Sequence, residues 1–148
     1  MQYTEGTIGR IFLLKFGDGD VVLDELGRFA RRERVKAAAF LFLGALKKGG
    51  IVTGPKKPVI PPEPNWVGFD GAWEAMGMGT IFSNKSGPQI HVHASMGRKL
   101  KTLTGCVRKR SEVFLVIEAV VFELKGVKAA KRIDPLTGLN LLQILQPK

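Results

Sequence analysis

A chain of 148 residues with 45% hydrophobic and 24% charged side chains has enough apolar material for a packed core, and its composition is not that of a fibrous or disordered protein. Charge is its one imbalance: 23 Lys and Arg against 13 Asp and Glu, a formal net charge of +10, which favours polyanionic partners, nucleic acid first, and also suits a solvated basic surface. The single cysteine, Cys106, excludes an internal disulfide. With no apolar leader in MQYTEGTIGR, it predicts a cytoplasmic location, and the longest apolar run, residues 37–46, is too short for a membrane-spanning helix, so no membrane role is expected.

Residues 6–16, GTIGRIFLLKF, are dense in β-branched and large apolar side chains and stop at GDGD, which predicts a strand and a turn. Residues 20–35 place Val22, Leu23, Leu26, Phe29 and Ala30 at helical spacing. Asp18, Asp20, Asp24 and Glu25 crowd the start of that segment and Arg28, Arg31, Arg32 and Arg34 its end, the order that complements a helix dipole. AAAFLFLGAL, residues 37–46, predicts a central strand closed by Gly49-Gly50. Five of the eight prolines lie in 53–65, which predicts an extended loop suited to a flap or a subunit arm.

A strand over 72–82, interrupted by Gly77 and Gly79, leads through the turn SNKSGP into a strand over 89–95. A long strand follows over 111–124, and a turn at Asp134-Pro135 and Thr137-Gly138 precedes a last apolar segment. No internal repeat is present. Six or seven strands with one amphipathic helix predict an α+β fold, a mixed and largely antiparallel sheet, in one domain spanning residues 1–148. One helix covers only part of a sheet face, so the remaining apolar surface predicts self-association.

The only two histidines, His91 and His93, sit two apart on a predicted strand and so project from the same face. That arrangement serves two metal ligands or two polar groups on a wet face. Between Arg98 and Arg132 there are ten basic and three acidic residues. Arg98, Lys99 and Lys101 on one side of an expected turn, and Arg108, Lys109 and Arg110 on the other, form a candidate patch for non-specific phosphate contacts with DNA. Aromatic residues do not interleave with these cations, so stacking on single-stranded bases is not expected. No HExxH, phosphate-binding loop or nucleophile elbow is present.

The order GRIFLLKFGDGDVVLDELGRFARRERVKAAAFLFLGAL, GAWEAMGMGTI, GPQIHVHASMG, TGC, EVFLVIEAVVFEL and RIDPLTGLNLL resembles the plants-and-prokaryotes conserved (PPC) domain, from about Gly6 to Leu142. The resemblance implies a seven-stranded sheet with few helices, a homotrimer, and in prokaryotic members a three-histidine metal site with zinc as the usual suggestion. His91 and His93 match the first two positions, and the third falls on Cys106. A bound thiolate adds softness and negative charge relative to a third imidazole; the alternative is a small buried thiol. Glu74, in AWEAM, matches a glutamate the family carries and is the one candidate for a general base beside a metal; its alternatives are a solvent-facing strand residue and an intersubunit ion-pair partner. Family members are widely described as DNA-binding, but the chain lacks an R-G-R-P core, which leaves its basic surface as the DNA-contacting element. The expected function is therefore a non-catalytic, DNA-associated regulatory protein. The alternatives are a metal-binding trimer able to support hydrolysis and a structural interaction module.

Overall fold

In a computed structural model, which describes residues 1–145, the chain forms β1 (Thr7–Gly17), α1 (Val22–Arg32), β2 (Ala37–Pro55), β3 (Pro64–Asn84), β4 (Gly87–Arg98), β5 (Lys101–Lys125), β6 (Ala129–Ile133) and β7 (Asn140–Ile144). The α+β class and the single helix match expectation. The strands divide into a five-stranded sheet of order β1-β5-β2-β3-β4 and a separate β6–β7 hairpin, instead of one seven-stranded sheet. All pairings are antiparallel among the described residues, which corrects the mixed sheet. The reason is β5, which lies between β1 and β2, two strands that run in the same direction and would otherwise have met as a parallel pair.

Strand lengths are the other departure. The strand expected to close at Gly49-Gly50 continues to Pro55 with register shifts between Leu46 and Lys48 and again beyond Val52, so the proline-rich loop shrinks to residues 56–63. Gly49 is needed inside the strand: a Cβ there would lie 2.8 Å from the Ser111 Cα and 2.9 Å from the Phe69 ring. The basic run at 108–110, expected beyond a turn, is strand, because β5 extends from 101 to 125.

β5 also closes the sheet. Its residues 116–125 pair with β1 and residues 106–123 with β2, whereas residues 101–106 pair with β4, which itself pairs with β3. At that end β2, β3, β4 and β5 form a ring, and Cys106 faces Val52 on one side and His93 on the other.

Alternation along the strands separates two faces. The inner face carries Phe40, Phe42, Ile81, Val92, Ile117 and Val121, and it is covered by Val22, Leu26, Phe29 and Ala30 of α1. The acidic first turn and basic last turn of α1 follow the predicted dipole order. Phe40 and Phe42 face Gly79 and Gly77, where a Cβ would come within 2.4 and 2.3 Å of their rings, so the two glycines are the recesses that admit the rings. The outer face carries the cross-strand row Leu13, Val120, Leu41, Met78 and His93. In it, and in the neighbouring row, Leu13, Leu41, Leu43, Met76 and Met78 are solvent-exposed.

Near the open end of the sheet, a register shift between Ile8 and Ile11 sets Arg10 against the buried Glu123. Arg10 Nε and Nη2 donate to Glu123 Oε2 and Oε1 at 2.8 and 3.0 Å, and Lys125 Nζ lies 3.0 Å from Oε1. The Arg10 hydrogen bonds, followed by that from Lys125, outweigh burial and hold the Glu123 carboxyl down to about 2. This contribution is complete above the ordinary value of 4.5 and is lost as pH falls from there toward about 2. Glu123→Gln is expected to lower the melting temperature by a few degrees at pH 7, with the gap to wild type closing on acidification through that window; a gap independent of pH would refute the pairing.

Candidate functional site

β4 is half inside and half outside: Val92, Ala94 and Met96 enter the core, while His91 and His93 take the alternate positions on the outer face. His93 is flanked by Met78 of β3 and Cys106 of β5, and His91 by Thr80 of β3. The predicted same-face pair is thus observed, and the β4–β5 hairpin returns the thiol to it. One potential ligand atom from each of His91, His93 and Cys106 lies within 4.8 Å of the other two. The imidazoles meet edge to face, with centroids 5.0 Å apart.

A tetrahedral zinc brings N and S ligands to within about 3.3–3.6 Å of one another. The trio therefore needs at most about 1.5 Å of closure, which imidazole rotation supplies. His91 is half-buried, and burial first, then the charges of Lys131, His93 and Arg108, push its pKa down to about 4. At neutral pH its ring is therefore uncharged, the form that ligates a metal. Burial pushes the Cys106 thiol up, against smaller opposing effects of Arg108, the Val92 amide and Lys131. A divalent ion there must displace the thiol proton. On donor chemistry and spacing, the three side chains fit a zinc-like ion.

Other predicted residues lie elsewhere. Glu74 is exposed and lies on the outer face four residues along β3 from Met78, about 13 Å from the level of His93. It stands apart from the donor trio. The β4–β5 turn presents Arg98, Lys99 and Lys101 to solvent, with Arg98 and Lys101 paired across it and Lys99 in left-handed conformation (φ 54°). Arg108 and Arg110 lie on the same strand as Lys101, Arg108 about 20 Å along it, so the expected turn between the two basic groups is replaced by continuous strand. Arg110 is exposed. The side chain of Lys109 lies outside the described residues.

Arg108 belongs with the donor trio. It is two residues beyond Cys106 on the same face of β5, and its charge acts on both His91 and Cys106. Sequence reasoning missed Lys131 of β6, 7% exposed, whose charge acts on both His91 and Cys106. In KAAKRIDP nothing distinguishes Lys131 from a solvated lysine; its burial follows from the docking of β6 against the sheet.

The fold and site can be set beside known proteins. The model of the Plants and Prokaryotes Conserved (PCC) domain matches residues 3–125. No curated protein matches the sequence. Among solved structures, the chain is similar to a plant- and prokaryote-conserved (PPC) protein of Pyrococcus horikoshii, with 24% identity and a TM-score of 0.84 over 99% of this chain and 100% of that one. It is similar also to a protein of Archaeoglobus fulgidus described as metal-containing, with 22% identity and a TM-score of 0.84 over 97% and 99% of the two chains. A third similar structure is a candidate DNA-binding protein of Ralstonia eutropha, with 19% identity and a TM-score of 0.76 over 90% of each chain. These likenesses establish the fold. No helix among the described residues is long and apolar enough to cross a membrane.

Proposed function

The chain belongs to the Plants and Prokaryotes Conserved domain family, and from that premise we propose that it is a zinc-type metal-binding protein whose ligands are His91, His93 and Cys106. The observation that carries this reading is the convergence of the three donors within 4.8 Å. The metal-containing protein of Archaeoglobus fulgidus with the same fold supports it. Bound zinc would supply Lewis acidity at a fourth, open position. The chain's own part is to hold the two imidazoles on one strand face, keep His91 uncharged, and give up the Cys106 proton. A reducing cytoplasm would keep that thiol free for the purpose. Elemental analysis of tag-free protein prepared without chelators is expected to find about one zinc per chain, with Cys106→Ser weakening affinity at least tenfold; equal zinc in both proteins would remove Cys106 from the ligand set.

A homotrimer accompanies this reading. Leu13, Leu41, Leu43, Met76 and Met78 form an exposed apolar surface in the rows that end at His93 and Ser95, and a surface of that kind is stabilised by burial against further copies. Sedimentation is expected to give the mass of about three chains for wild type and a smaller species for Met78→Asp; a wild-type monomer would contradict the assembly.

A second reading, DNA association, is favoured by the exposed cations Arg98, Lys99 and Lys101 at the β4–β5 turn and by the candidate DNA-binding protein of Ralstonia eutropha. These residues suit phosphate contacts without base readout, and a trimer would triple them. Arg98→Ala with Lys101→Ala is expected to weaken binding alike for unrelated duplexes and to flatten the log–log salt slope by up to about 2 per chain engaged. A loss confined to one sequence would refute phosphate-only contact.

A further inference from the structure

Lys131 is more than nine-tenths buried along its stem, its ammonium tip reaching solvent, and among the described residues that tip has no carboxylate partner and no hydrogen bond; the charged and ionisable groups acting on it are Arg108 and Cys106. Buried lysines are ordinarily paired. The Arg108 side chain is similar: among the described residues its guanidinium donates only to the carbonyl of Val107, its immediate neighbour, at 3.4 Å. Both cations act on His91 and on Cys106. Two positive side chains, neither paired with a carboxylate among the described residues, thus act on each other and on a set of donors suited to a divalent cation. Adding the metal makes the excess larger: two charges from zinc and one each from Arg108 and Lys131 meet a single negative charge on the Cys106 thiolate.

We propose that Lys131 and Arg108 form the anion-binding half of the site, and that its ligand is a small molecule bearing a carboxylate or phosphate group seated between these two cations beside the metal. This rests on the metal reading for the role of the trio, but the anion-binding groups are Lys131 and Arg108 themselves. Arg108 offers a planar fork that matches two oxyanion oxygens, and Lys131 supplies a point charge from the opposite element. The β6–β7 hairpin that carries Lys131 is held to β4 by a hydrogen bond from Asn140 Nδ2 to Gln89 Oε1 at 2.9 Å, two residues before His91. The cation is therefore positioned by the strand that positions the imidazoles.

The test is the melting temperature of zinc-supplemented protein titrated with inorganic phosphate and, separately, with acetate, at constant ionic strength. Wild type should show a saturable rise with at least one of them. Lys131→Met, which keeps the buried stem and removes the charge, should need at least tenfold more anion for the same rise, and it should melt no lower than wild type when anion is absent. Should Lys131→Met fail to fold, Arg108→Gln gives the same discrimination. A rise of equal midpoint in wild type and variant, or no rise with either anion, overturns the proposal.

Zinc content measured on the same samples separates the two readings. Zinc absent throughout, with a Lys131-dependent anion response, would overturn the metal reading and keep the anion pocket; equal zinc without that response would do the reverse. Displacement of phosphate by a short DNA duplex in a Lys131-dependent manner would overturn the small-molecule assignment.

Discussion

Everything at the site depends on one strand serving two pairings. β5 enters beside β4, leaves it after Cys106, and continues between β2 and β1 to Lys125. A strand in an antiparallel sheet satisfies its backbone groups on both sides, so each change of neighbour must be made without leaving amides unpaired. β5 achieves this through the connection between β1 and α1: Val21 bridges Glu112, the Val113 amide donates to the Asp20 carbonyl while its own carbonyl accepts from Gly19, and the Leu115 amide donates to Asp18 Oδ1. The Gly44 backbone, at φ 142°, packs so closely on Val116 that a Cβ would fall 2.2 Å from its carbonyl oxygen. Cys106 sits where the change of neighbour occurs, which is why a thiol remote in sequence from Val52 lies level with both Val52 and His93.

The site also joins two kinds of surface. On one side of His93 the outer face continues as Met78 and Leu41; on the other is Cys106, and the charges of Arg108 and the buried Lys131 act on both Cys106 and His91. Burial and the charges of Lys131, His93 and Arg108 act in the same direction on His91, favouring the neutral ring.

What could be read from the sequence was whatever a local period reports. Val22, Leu26 and Phe29 announce α1 because helical spacing and charge order agree, and His91 and His93 share a face because parity on a strand is fixed by geometry. The continuity of β5 through TLTGCVRKRSE was not legible, since its neighbours change midway and no single face is apolar throughout. Gly77 and Gly79 read as interruptions, yet their role is to accept the rings of Phe42 and Phe40 from the next strand, a pairing that one-dimensional patterning does not contain. Lys131 was invisible for the same reason: a five-residue strand carries too little alternation to say which side is covered.

The placement of β5 also shapes how the chain is made. β2 can form a hairpin with β3 as soon as residue 84 is available, but its other edge, carrying the AAAFLFLGAL run, waits for residues 113–123. A ribosome adding roughly 5–20 residues per second takes some seconds to deliver them. Throughout that interval the nascent chain presents an unpaired, strongly apolar strand edge, the kind that recruits other chains. The strand that completes the site thus also ends the period in which the growing polypeptide is most exposed to mispairing.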